Sequence, residues 1–120
     1  MLDDPSEIPA DFLARFDQAT TRPLLLVEGG WSSEVAGGTN GTPAEQADFF
    51  RRMSALLDGV RAEAWVFLLY ADPDLDSYDL PPDREAGFAN FSRMGIVDIE
   101  LRPKPATAVW DSVFARPLAD

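Results

Sequence analysis

The sequence predicts an α/β fold with a parallel sheet. Two continuous apolar runs, "RPLLLVE" at 22–28 and "AEAWVFLLY" at 62–70, carry no polar face, and such runs are the mark of strands buried on both sides. They alternate with helical patterns in the order helix–strand–helix–strand–helix, which implies a parallel sheet covered by helices. The connections are lopsided. Both strand-to-helix connections run to about a dozen residues or more and both helix-to-strand connections to only a few, against a usual median of about 4–6. In α/β proteins, long loops at the C-terminal ends of parallel strands are where sites are built.

Each element has its own signal. "IPADFLARFDQAT" sets Phe12, Leu13, Phe16 and Ala19 at helical spacing. The first strand is expected over Pro23–Glu28, and "GGWSSEVAGGTNG" after it is a glycine-rich loop. The second helix is expected over 43–58. Thr42 and Glu45 have capping-box spacing, Pro43 occupies the first turn, and Gly59 provides a stop. Its apolar stripe is Phe49, Phe50, Met53, Leu56 and Leu57. The second strand is expected over Ala64–Tyr70, parallel to the first and joined to it by a right-handed crossover. Alternation along the first strand sets Leu24 and Leu26 on the face of Glu28 and Leu25 and Val27 on the opposite, helix-covered face. "ADPDLDSYDLPPD" is an acidic, proline-containing loop, "EAGFANFSRMG" holds a short helix, and "KPATAVWDSVFA" lines up Ala106, Val109, Trp110, Val113 and Phe114 before Pro117 ends the pattern.

Composition narrows the chemistry. The 120 residues fit one domain or part of one, and 46% are hydrophobic, which excludes a disordered tail. A net charge of −11 repels phosphate backbones and anionic lipid, so no nucleic acid and no membrane partner is expected. There is no cysteine and no histidine. Disulfides, thiol nucleophiles and histidine-based triads are therefore excluded, and no metal site of the zinc type is expected. Acid–base work must fall to carboxylates, tyrosine, lysine or arginine. "MLDDPSEIP" lacks the pattern of a signal peptide, and no apolar run approaches membrane-spanning length.

Glu28 is the residue to explain. It is a carboxylate at the C-terminal tip of an apolar strand, followed by Gly29 and Gly30, which let the backbone turn and a ligand approach. The ordinary alternative is a strand-end glutamate paired with an arginine or capping a helix. Trp31 offers an aromatic wall for a sugar or, equally, packing of the loop. Tyr70 lies at the same end as Glu28. Trp65 lies at the other end of its strand, where an aromatic residue is usually core. Asp72, Asp74, Asp76 and Asp83 have a spacing that invites calcium, but Ser77 stands where the EF-hand needs glycine. A solvated acidic loop is the stronger reading. "NGT" at Asn40 and "NFS" at Asn90 match the glycosylation sequon, a short motif with common chance matches.

Taken in order, these motifs resemble the end of a (β/α)8-barrel glycoside hydrolase of the retaining type. "RPLLLVEGGWSS" is similar to the seventh strand, which a glutamate and a Gly-Trp close. "WVFLLYADPD" is similar to the eighth strand, with a Trp and an Asp past its end. "FANFSRMGIVDIELRPKPATAVW" is similar to the closing segment. The resemblance implies a partial (β/α)8 TIM barrel over residues 1–120, with Glu28 at the nucleophile position and Trp31, Tyr70, Trp65 and Asp72 around a carbohydrate substrate. It implies no cofactor. A retaining enzyme needs two carboxyl groups roughly 5–5.5 Å apart, and in the family the second comes from the fourth strand. The resemblance places the start of this chain near the sixth helix, so the acid/base lies outside it. The chain alone is then expected to be catalytically silent and to self-associate through exposed strand edges. Two other readings remain: a non-catalytic small α/β ligand-binding module, and an orphan fragment without function.

Overall fold

The computed structural model describes residues 2–67 and 69–117, with the side chains of Asp83 and Ala86 excepted. It contains α1 (Phe12–Gln18), β1 (Leu24–Leu26), α2 (Pro43–Leu57), β2 (Ala62–Trp65), α3 (Pro82–Phe88) and α4 (Pro105–Phe114). Single 3₁₀ turns lie at Pro5–Glu7, Leu75–Ser77 and Ala89–Phe91.

β1 and β2 pair in parallel, with Leu24 opposite Ala62 and Leu26 opposite Trp65 and an irregularity between Leu24 and Leu25. α2 makes the crossover. Thr42 caps it, its hydroxyl accepting from the Glu45 N–H at 3.2 Å, and Pro43 occupies the first turn, where no N–H is needed. The helix ends at Leu57, and the Gly59 N–H closes back on the Leu56 carbonyl.

Both strands are shorter than the apolar runs suggest. The Val66 N–H donates to the Leu26 carbonyl, the last bond between the two strands among the described residues. β1 has turned away at Gly29, whose φ of 154° an L side chain rarely adopts. Farther along, the Tyr70 carbonyl accepts from the N–H groups of Ile96 and Val97, and the Asp72 N–H donates to the Val97 carbonyl. Leu68, part of the expected second strand, lies outside the described residues.

The core lies on one side of the sheet only. Phe50 is wholly buried, with ring centroids 4.8 Å from Phe67, 5.5 Å from Trp110 and 5.7 Å from Trp65. α2 supplies Phe49, Phe50, Met53 and Leu56, α4 supplies Ala106 and Trp110, and Leu26 packs against them. Burying several aromatic side chains in edge-to-face contact is the main stabilising feature of the fold.

This arrangement corrects two expectations. The sheet is covered on one face, not two, because α2 and α4 lie on the same side. The expected facing of β1 is also reversed. Leu26 packs against the helices, while Leu25 and Val27 are 60% and 56% exposed on the open face with Val66. Alternation fixes which residues share a face but not which face is covered. The first helix is weaker than its stripe suggests: Leu13 is buried, whereas Phe12 and Phe16 are exposed.

Candidate functional site

The C-terminal end of the sheet gathers the glycine-rich loop after β1, the stretch after β2 and the segment before α4. Two polar residues, one buried and one half-buried, hold these pieces together, and nothing in the sequence pointed either to a role in the site. Gln46, wholly buried on α2, donates through Nε2 to the carbonyls of Trp31 at 3.0 Å, Met94 at 3.2 Å and Gly95 at 3.1 Å. One helix side chain thus fixes two loops. The only signal in sequence was a polar residue next to the apolar stripe of α2.

Lys104 is the second. Its Nζ lies 2.7 Å from each carboxylate oxygen of Asp72 and 2.9 Å from Ser33 Oγ. Asp72 also accepts the Gly95 N–H at 2.9 Å, and Arg93 stands 3.8 Å away. A Cβ at position 95 would fall 2.3 Å from the Asp72 nitrogen, so glycine is required for this approach. Asp72 therefore joins the loop after β2 to the residues before α4. With its side chain 1% exposed, it is a tether and not a residue of an accessible rim.

Glu28 is different. It is exposed, and among the described residues it makes no hydrogen bond and no ion pair. The ordinary alternatives, an arginine partner or a helix cap, are not realised among those residues. Glu28, Gly29 and Gly30 border two cavities. One, of about 660 Å³, reaches the helix layer and is lined by Leu26, Phe49 and Met53. The other, of about 300 Å³, lies toward Phe67, Leu69, Phe91 and Met94.

Trp31 lines the larger cavity and stacks on Phe49 at 6.0 Å. Its buried indole Nε1 has no hydrogen-bond partner among the described residues. Tyr70 is 66% exposed and lines neither cavity that Glu28 borders. Trp65 lies elsewhere, with its ring 4.7 Å from Trp110 in the aromatic core. Of the five residues singled out in sequence, Glu28 and Trp31 line one cavity, Tyr70 stands outside both cavities that Glu28 borders, Asp72 is held by Lys104, and Trp65 lies in the core. Among the described residues, no group of three or more carboxylates gathers to hold a metal ion. The Asp83 side chain, part of the calcium spacing, lies outside the described residues.

No family model matches the chain, and no curated protein does. Among solved structures, Faecalibacterium prausnitzii Beta-glucuronidase superposes with a TM-score of 0.66 at 20% identity, over 98% of this chain and 20% of the other. The chain therefore spans about one fifth of that structure. A likeness at this identity concerns the fold. Over its length the chain is folded like one part of that larger structure, which is consistent with a partial barrel.

Proposed function

We propose that this chain is the nucleophile-bearing part of a retaining (β/α)8-barrel glycoside hydrolase, with Glu28 as the nucleophile. The observation that carries the reading is an unpaired carboxylate at the C-terminal end of a parallel strand, opened by two glycines and bordered by cavities. Trp31 and Tyr70 are the aromatic contacts for a sugar in this reading.

In the complete barrel a Glu28 oxygen attacks the anomeric carbon. The bond from that carbon to the leaving oxygen breaks as an acid supplied by another part of the barrel protonates it. Water then releases the sugar from the ester. This chain holds the nucleophile without that acid, and general acid catalysis is typically worth roughly 10²–10⁴-fold. The chain alone should be silent. A barrel carrying it should hydrolyse an activated aryl glycoside, and Glu28→Gln should abolish turnover with the fold unchanged. Turnover that survives Glu28→Gln would refute the assignment.

One observation favours a second reading. The larger cavity at Glu28 opens toward the helix layer, not the open sheet face. A non-catalytic module that binds its ligand there, with Glu28 as an acceptor, would lose affinity on Glu28→Gln but show no turnover in any context.

A further inference from the structure

A third hollow lies beside the site. It measures about 370 Å³ and is lined by Leu75, Tyr78 and Leu80 from the loop after β2, by Phe88 and Phe91 from the end of α3 and the turn after it, and by Leu69. Leu69 and Phe91 also line the cavity that Glu28 borders. The two spaces are therefore neighbours that share walls, one with a carboxylate at its edge and one without. An apolar cavity of about 150 Å³ already accepts a benzene ring, so this hollow has room for a fused aromatic pair. Ligand sites are hollows of this kind, apolar with a few polar groups at one end.

The chain closes this hollow at some cost. Leu75, Leu80 and Leu69 are half-buried, while Tyr78, Phe88 and Phe91 stay 59%, 49% and 44% exposed. The surrounding segment is strongly acidic. Residues 72–91 carry six carboxylates and one arginine, so the field at the rim opposes an anion.

We infer that this hollow receives the aglycone of the substrate, and that the aglycone is an apolar, uncharged aromatic group. The inference rests on the glycosidase reading of Glu28. The sugar would lie against Glu28, and the bond that breaks would join it to a ring seated between Leu80 and Phe91. Specificity for the leaving group would then reside in this chain, even though the proton for that group comes from elsewhere.

The test is binding to the full chain, followed by amide chemical shifts. The probes are 2-naphthol, 2-naphthoate, methyl β-D-glucoside and a set of 2-naphthyl glycosides that differ in the sugar. Saturable shifts at Leu75, Tyr78, Leu80, Phe88 and Phe91 are expected with 2-naphthol. 2-Naphthoate should bind more weakly, with the gap closing as salt is added. Leu80→Asp, on a half-buried loop position, should weaken naphthol binding by about tenfold or more by placing a charge in an apolar space. The shifts of Trp65 and Trp110 in the core should stay in place, which reports an intact fold. Naphthol binding that is absent, lies elsewhere or ignores Leu80→Asp overturns the inference. A naphthyl glycoside should add shifts at Glu28, Gly29 and Gly30 for at least one sugar. If naphthol binds in the hollow and no naphthyl glycoside reaches Glu28, the glycosidase reading fails, and the aglycone assignment fails with it.

Discussion

Asp72 and Glu28 both follow apolar runs, yet only one of them is free. Lys104 holds both oxygens of Asp72 at 2.7 Å, and Ser33 and Gly95 complete the network. An ion pair this buried gains little over an apolar pair of the same size, because both charges have left water. Breaking it is a different matter, since buried Asp72 would then keep only the Gly95 N–H and Arg93 at 3.8 Å, at a cost of up to about 3–5 kcal/mol. Lys104→Met should therefore destabilise the chain by up to that amount in urea unfolding. Asp72→Leu combined with Lys104→Met should be less destabilising than Lys104→Met alone, although it leaves the Gly95 N–H without an acceptor. Additive losses would mean that the two residues act separately. Glu28 belongs to the opposite case: a carboxylate without a partner among the described residues contributes nothing there that Glu28→Gln would remove.

Among the elements, α2 was the most legible in sequence, because a capping threonine, a first-turn proline and an apolar stripe all agree with its observed start and buried face. Parallel pairing was legible too, since apolar strands joined through a helix leave few alternatives. The covered side of β1 was not, because period-2 alternation has no sign. Trp65 was legible as a core aromatic, although its partners Phe50 and Trp110 lie at distant positions in the chain. For the site, Glu28 was legible as a charge in an apolar context, whereas Gln46 and Lys104 act through loops that only the fold brings together. The turn before α4 offers a test by pH. Burial raises the pKa of Asp98, but hydrogen bonds from the backbone N–H and guanidinium of Arg102 outweigh it, and the carboxyl titrates below its ordinary 3.8. Its contribution to stability is thus complete above that value and lost as pH falls through the folded-state value. Urea midpoints should drop on the acid side of 3.8, and Asp98→Asn should make that acid limb shallower. An unchanged acid limb in Asp98→Asn would show that other carboxylates, such as Asp4 and Asp11, which are also lowered, carry the effect.

At the scale of the whole molecule, the chain exposes more surface than its mass warrants. Its accessible area is 7910 Å², whereas a compact monomer of this mass has about 6400 Å². Its radius of gyration is 15.5 Å, against about 13.6 Å for a compact chain of this length. The excess, about 1500 Å², is nearly twice the roughly 800 Å² that one partner buries in a standard protein–protein interface. Part of it has a definite place. Leu25, Val27 and Val66, more than half exposed, form the open face of a two-stranded sheet, and each strand has an edge without a partner there. Water contact with this face is unfavourable by roughly 25 cal/mol per Å² of apolar area, and a second copy is the nearest cover. Sedimentation should show mass rising with concentration. Leu25→Lys with Val66→Lys should return the chain to a monomer while leaving the far-ultraviolet helical signal of α2 and α4 in place, because neither residue belongs to the core built on those helices. A monomer at every concentration would mean that the open face is tolerated as it stands. Association that survives both lysines would place the contact on another surface, with the exposed aromatics Phe88, Phe91 and Phe114 next to be tested.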